Sequence, residues 1–303
     1  MLLLFTGSID GTSDRIVSEL GDSVFRLNYD LYADYDLAIT PSGWSLSSPS
    51  GREITSKTAT SAFWWKAFSY ILQDDRMVKG EVKYIFRELY AWFQLRGLSK
   101  GNSPDFHNRF GKLNILSAAQ KYFDIAPTLT SIGPIDGRFF DGAPVVVKSL
   151  SSESSDDHRV LMTTEVDVER LSPKYPWHIQ AKIESNWDIT VFQCDGNFYA
   201  FERSRHGLKG MDWRNEQKFD YSEQEWFPFD LSLAEVVSLK ELARELGVEI
   251  GRYDFMRRSS DEKLIFLEFN ATGQWVFLDI KNEYGLLKDV TKWLKRGNGT
   301  PAC

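Results

Sequence analysis

The sequence predicts an α/β protein built from α+β subdomains, and three features carry that prediction. The chain opens MLLLFTGSIDGTSDRIVSEL, an apolar run, a small-residue turn and an amphipathic stretch, which reads as a buried strand, a turn and a helix. At 303 residues the chain exceeds what one small core organises, so two or three packed subdomains are expected. Further along, strand-like runs such as FLEFN and APVVVKSL are interleaved with stretches of helical period.

Taken in order, VFRLNYD and DLAITPS read as further short strands, and GWSLSSPSGREI as a hairpin or loop crossing. From Ala62 to Leu98 the spacing of Ile71, Val78, Val82, Ile85, Leu89 and Phe93 predicts a helix. GLSKGNSPDFHN breaks it, which places a first domain boundary near residue 104. NRFGKLNILSAAQKYF predicts a second helix, and the valine run of APVVVKSL a buried strand. SLSSESSDDHR is too polar to pack and reads as a mobile surface loop. WHIQAKI and DITVFQCDGNFYAFER resume strand character, with DGN as a hairpin turn. LSLAEVVSLKELARELG is a helix with Ser232 as N-cap and Gly247 as its stop. The expected division is 1–104, 105–180 and 181–297, with 298–303 a tail.

Composition narrows the function. A formal net charge of -7 repels a phosphate backbone, so nucleic acid is not an expected partner. Cys194 and Cys303 lie far apart with no CxxC spacing, which argues against a zinc or redox motif and fits a reducing cytoplasm. MLLLF lacks a basic flank and is cut short by Thr6, Gly7 and Asp10, so it does not read as a signal peptide, and no apolar run approaches membrane-spanning length. Ten Trp within 14% aromatic residues imply generous internal packing or stacking surfaces for a ligand. The rings of FWWKAFSY could serve a homodimer interface, with burial inside the N-terminal domain the favoured use.

The most informative stretch is IGRYDFMRRSSDEKLIFLEFN. SSDE is turn material, so the flanking runs form an antiparallel hairpin, and a turn centred near Asp261 sets Asp254 opposite Glu268. Period-two alternation puts Asn270 on the face of Glu268. Two carboxylates and an amide oxygen suit Mg²⁺, a hard cation held by a few protein oxygens together with substrate phosphates. A solvated acidic strand face explains the ExN pair equally well. Lys112, at a helix start, and Lys148, closing PVVVK, stand where phosphate ligands could be. Lys112 alone also fits an ordinary surface lysine, whereas a charge closing an apolar strand needs a partner.

With these parts in this order, the chain from about Asn108 onward resembles the ATP-grasp superfamily: NRFGKLNILSAAQKYFDIAPTLTS, VVVKSL, IQAKI, DITVF, DWR, RYDF and LEFNATGQW. DWR and LEFNATGQW bring it nearer to the ribosomal-peptide maturases that make microviridins and other graspetides, and the N-terminal domain is similar more faintly. The resemblance implies an N-terminal pre-ATP-grasp domain, a central lid domain and a C-terminal catalytic domain. It implies ATP and Mg²⁺ as cofactors, with Lys112 and Lys148 on the phosphates. Gln180, Ala181, Lys182 and Ile183 would meet the adenine, and Asp188 the ribose. Asp254, Glu268 and Asn270 would hold the metal. Asp212 and Arg214 of DWR would serve catalysis, Arg214 gripping the substrate carboxylate through paired hydrogen bonds, with Arg203 and Arg205 as secondary candidates.

The implied activity is ATP-dependent activation of side-chain carboxylates in a precursor peptide, recognised through its leader, followed by ester or amide closure. Joining of small amino acids, and a nucleotide-binding module without turnover, are the alternatives. Four departures stand out. SLSSESSDDHR holds the place of a glycine-rich phosphate loop without a glycine, Ala181 replaces a frequent Glu, Thr190 a frequent Arg, and FWWKAF a paired-arginine segment.

Overall fold

In the computed structural model the described residues are 1–67, 75–150, 161–208 and 225–296. The chain starts with β1 (Leu2–Thr6), α1 (Gly11–Leu20), β2 (Val24–Asn28), β3 (Asp36–Thr40), β4 (Gly43–Ser47), β5 (Glu53–Thr55), β6 (Ser61–Trp64), α2 (Arg76–Gln94) and β7 (Ser99–Lys100). Strands β2-β1-β6-β7 form a parallel sheet, and β3-β4-β5 an antiparallel one. Leu3, Phe5, Phe25, Trp64, Phe86 and Phe93 share one core on a face of the parallel sheet. On the other face, Leu2 and Leu4 pack with Ile16 of α1.

The expected helix from Ala62 is corrected here. Ser61–Trp64 is a strand, paired with β1 so that Phe5 faces Trp64, and all four residues are buried. A fully buried parallel strand is apolar at consecutive positions, so it carries no alternation to set it apart from helix. The helix begins after Asp75, whose carboxylate accepts the N–H groups of Met77 and Val78. Val82, Leu89 and Phe93 are buried as the spacing requires, whereas Ile85 is exposed. Ile71 lies outside the described residues. The described rings of FWWKAFSY are interior, with Phe63 and Trp65 each 1% exposed; Phe68 and Tyr70 lie outside the described residues.

The middle of the chain contributes α3 (Phe106–Arg109), α4 (Lys112–Ala119), β8 (Asp124–Ile125), β9 (Thr128–Ser131), β10 (Val145–Val147), β11 (Thr164–Val166) and β12 (Trp177–Ala181). The single helix expected over NRFGKLNILSAAQKYF is split at Phe110 and Gly111, because Gly111 takes extended angles and becomes the N-cap that makes Lys112 the first helical residue. Strands β11-β10-β12-β9 form an antiparallel sheet around Val145, Val147 and Ile179. Most of SLSSESSDDHR, from 151 onward, lies outside the described residues.

The last part holds β13 (Ser185–Cys194), β14 (Asn197–Ser204), β15 (Phe227–Pro228), α5 (Leu233–Leu246), β16 (Ile250–Arg258), β17 (Leu264–Asn270) and α6 (Leu286–Lys295). It forms a six-stranded sheet in the order β15-β14-β13-β16-β17-β8. Asp195 and Gly196 both adopt positive φ, 51° and 77°, the requirement of a tight two-residue hairpin turn. Ser232 and Glu235 make a reciprocal capping box and Gly247 ends α5 left-handed, as expected. One sheet face packs Ile189, Val191, Tyr253 and Phe266 against Leu239 and Leu242 of α5 and Ile115 and Leu116 of α4. The other face is divided: Phe192, Cys194, Phe201 and Ile250 pack into the core with α1 and α6, and the polar side chains Asp188, Thr190, Arg252 and Asp254 take the remainder. Among the described residues no helix is long and apolar enough to cross a membrane.

Candidate active site

The polar face of the six-stranded sheet forms one wall of a cleft of about 790 Å³, whose opposite wall comes from α4 and from β10 and β12 of the four-stranded sheet. A cleft of this size suits a cofactor-sized ligand. Register decides which groups meet there. Asp254 pairs with Glu268, and Arg252 with Asn270, the partners the sequence predicts. Beyond Asp254 the register shifts: Phe255 pairs with Phe266, so Leu267 is the extra residue of a bulge. Leu267 lines the cleft beside Glu268, a departure from the strict alternation expected.

Asp254 is the most heavily coordinated carboxylate of the cleft. Arg252 donates to it from Nε at 2.9 Å and Nη2 at 3.0 Å, Thr190 Oγ1 donates at 2.5 Å and Asn270 Nδ2 at 3.0 Å. The same Asn270 amide donates to Glu268 Oε1 at 3.2 Å. Lys112 Nζ lies 3.8 Å from Glu268 and donates to the Ser149 carbonyl at 2.7 Å. Burial pushes the Glu268 carboxyl up, but Lys112, the Asn270 hydrogen bond, Lys148 and Arg252 together pull it below the ordinary glutamate value. It is therefore ionised near neutrality.

Lys148 Nζ donates to Gln180 Oε1 at 2.7 Å, and the Gln180 amide donates to Thr128 Oγ1 at 3.0 Å. Behind the lysines, His178 is 4% exposed and shares a hydrogen bond of 2.8 Å with Thr130. Burial, and then Lys148 and Lys112, push its pKa down to about 4. It stays neutral and adds no third cation to this wall.

The donor set fits a divalent ion. Two carboxylates and an amide converge within 3.2 Å of one Asn270 nitrogen, so a half-turn of that amide would present Oδ1 beside both carboxylates. Among the described residues no three His, Cys, Asp or Glu side chains cluster, so such an ion would complete its shell with ligand oxygens or water, the habit of Mg²⁺.

Eleven of the expected site residues line the cleft: Lys112, Lys148, Gln180, Ala181, Lys182, Ile183, Asp188, Arg205, Asp254, Glu268 and Asn270. The backbone offered to a base is narrower than the exposed edge the sequence predicts. β12 is an interior strand, and the N–H groups of Ala181 and Lys182 donate to the Pro127 and Pro144 carbonyls at 2.8 and 2.7 Å. The Lys182 carbonyl and Ile183 N–H make no backbone hydrogen bond among the described residues. The Lys182 ammonium pairs with Glu165 at 3.0 Å. Asp188 is buried and accepts from Arg205 Nη1 at 2.7 and 3.0 Å. Burial raises its pKa, with Arg205 opposing.

Arg203 does not line the cleft and instead pairs with Glu225 at 3.2 Å. Asp212 and Arg214 lie outside the described residues. Arg252, Thr190 and His178 are the contributors that sequence reasoning passes over. Arg252 was within reach, since period two puts it on the face of Asp254. Thr190 and His178 depend on pairings across the sheets, which no local pattern encodes.

No protein-family model and no curated protein matches the chain. Solved structures do. A RiPP-associated ATP-grasp ligase of Chryseobacterium gregarium, in complex with ADP and a leader and core peptide, has a TM-score of 0.81 at 20% identity, over 100% of this chain and 99% of its own. The macrocyclase MdnC of Microcystis aeruginosa, bound with precursor peptide MdnA, gives 0.81 at 19% identity over 97% and 99%. The D-cycloserine synthetase DcsG gives 0.55 at 13% identity over 97% and 98%. Over its whole length the chain has the ATP-grasp fold.

Proposed function

We propose that the chain is an ADP-forming ligase that activates side-chain carboxylates of a ribosomal precursor peptide and closes them into ω-ester or ω-amide cross-links. The observation that carries this reading is the meeting, in one cleft, of Asp254, Glu268 and Asn270 on one wall with Lys112 and Lys148 on the other. The peptide substrate is inferred from the ATP-grasp ligases of the same fold that were solved with leader and core or precursor peptides.

A carboxylate resists attack at neutral pH. Its oxygen would attack the γ-phosphorus of ATP and release ADP, and a hydroxyl or amine of the peptide would then attack the acyl carbon and release phosphate. This chain's part is alignment and charge neutralisation. Lys112 and Lys148 would neutralise phosphate oxygens. Asp254, Glu268 and Asn270 would hold Mg²⁺, whose chemistry there would be to offset the negative charge of the phosphates. Arg252 and Thr190 fix the Asp254 carboxylate before any ligand arrives. The Lys182 carbonyl and Ile183 N–H are suited to the adenine rim, and Asp188, braced by Arg205, to the ribose. Arg214 is our candidate for the substrate carboxylate. The reaction is assigned to the cytoplasm, where ATP and an uncrosslinked precursor coexist.

The test is incubation with ATP, Mg²⁺ and peptides encoded next to this gene. Loss of one water per link, with matching ADP release, is expected. ADP release driven by free amino acids alone would move the substrate class to small molecules, and no ADP release with any carboxylate would reject the ligase reading.

A further inference from the structure

Lys66 follows β6 at the carboxyl end of the parallel sheet with φ at 54°. This left-handed conformation crowds the Cβ of a lysine against the neighbouring carbonyl, and glycine or asparagine would hold it with less strain. The side chain is half-buried, and its ammonium makes no hydrogen bond or ion pair among the described residues. Burial holds its pKa below the ordinary lysine value, Asp10 opposes that shift and Arg252 adds to it. An unpartnered, half-buried cation on a strained backbone is unfavourable twice over.

Its place in the fold gives it a use. In the order β2-β1-β6-β7 the chain leaves β1 toward one edge and returns to β6 on the other side, so the β1/β6 boundary is a topological switch point, where open parallel sheets bind ligands at their carboxyl ends. The turn after β1 and Lys66 follow the carboxyl ends of the two strands that meet at this boundary. Asp10 in this turn has both oxygens engaged, one by Ser13 N–H at 2.7 Å and one by Gln274 Nε2 at 3.0 Å. The Gln274 carbonyl accepts from Arg252 Nη1 at 2.8 Å, and Arg252 holds Asp254. Three hydrogen-bonded steps thus join the turn after β1 to Asp254, and the Lys66 ammonium feels the charges of two members of that chain, Asp10 and Arg252.

We propose that Lys66 anchors a carboxylate subsite at the β1/β6 crevice, which takes the substrate carboxyl group awaiting activation and presents it to the Asp254 end of the cleft. The proposal rests on the ligase reading and deepens it. A compact ammonium with three free donors accepts a carboxylate in any rotation about the Nζ axis, and a neutral carboxamide gives it no charge to pair with.

The probe is N-acetyl-glutamate α-methylamide, compared with its glutamine isostere, on protein saturated with ADP and Mg²⁺. Ligand-detected NMR gives both dissociation constants. The wild type is expected to prefer the carboxylate by about tenfold. Lys66→Asn, whose side chain tolerates the left-handed backbone, should lose that preference, raise Tm and leave ADP affinity within about twofold. Lys66→Arg should retain most of the preference. Equal binding of the two probes by the wild type, or an undiminished preference in Lys66→Asn, would overturn the subsite. Hydroxylamine capture of the activated carboxyl group, run in parallel with ATP, reads the ligase assignment separately: preference without hydroxamate supports the subsite and rejects that assignment.

Discussion

Arg252 and Asp254 should behave as one unit, and a double-mutant cycle between them measures how firmly the Asp254 wall of the cleft is set before any ligand arrives. Their side chains are 12% and 20% exposed and share two hydrogen bonds of 2.9 and 3.0 Å. Exposed pairs contribute about 0–1 kcal/mol, and loss of one partner from a buried pair costs about 3–5 kcal/mol. A pair at this depth with two-point geometry falls between, at about 2 kcal/mol of coupling. Arg252→Met also removes the donor to the Gln274 carbonyl, so its total loss should be near 3 kcal/mol. Asp254→Asn leaves the guanidinium facing a neutral amide and should lose about 2 kcal/mol. Because Thr190 and Asn270 still hold position 254 in the Arg252 variant, the double variant should lose less than the sum of the two. Urea unfolding at neutral pH with unchanged m-values is the assay. Coupling below about 0.5 kcal/mol would refute the reasoning and return Arg252 to the class of surface arginines.

Other outcomes follow from the same geometry. Glu268→Ala should reduce ATP turnover by at least about a hundredfold while changing stability by less than about 1 kcal/mol, since Glu268 is a third exposed and its Lys112 partner lies 3.8 Å away; turnover retained, measured as ADP release, would remove Glu268 from the metal set. His178, with its pKa pushed down to about 4 in the fold, is bound by more protons when unfolded, so stability should rise with pH between about 4 and 6.5 and fall as acid is added. The full window is worth on the order of 3 kcal/mol, and a His178→Gln variant whose unfolding free energy keeps the same slope would assign the effect elsewhere. Lys66→Asn should stabilise the protein by about 1 kcal/mol in urea unfolding through relief of the left-handed backbone, and a loss of stability would show that the ammonium is structural.

What could be read in advance, and what could not, divides along the range of the interactions involved. The hairpin itself was legible because SSDE marks a turn, and a centre placed at Asp261 gave the right partner for Asp254; counted equally from the register beside the turn, Arg257 with Leu264, Asp254 would face Leu267, and the bulge supplies the one residue that brings Glu268 there. The bulge at Leu267 was not, since an extra residue is settled by packing on both faces of the sheet rather than by the strand's own pattern. Ser61–Trp64 reads as helix for the same reason that makes it a good interior strand: burial on both faces removes the alternation that distinguishes the two. Ser232 and Gly247 end their helix through bonds to residues three and four away, which local sequence does specify.

The active cleft belongs mostly to the other class. Thr190 meets Asp254 across 64 residues, and Gln274 meets Asp10 across 264. The first is a cross-strand pair within the six-stranded sheet and the second ties the turn after β1 to the segment after β17, so neither forms before distant parts of the chain have met, and the electrostatics follow from that assembly: Lys112 and Lys148 come from two different elements, yet both bear on His178 and Glu268. An ordered set of weak motifs could still converge on one cleft because each motif fixes one wall of it locally. Which side chains within a wall carry free charge depends on partners that only the assembled fold supplies. By that argument Lys66, which follows the apolar and aromatic residues of a buried strand, becomes conspicuous only once Asp10 and Asp254 have been seen to be already engaged.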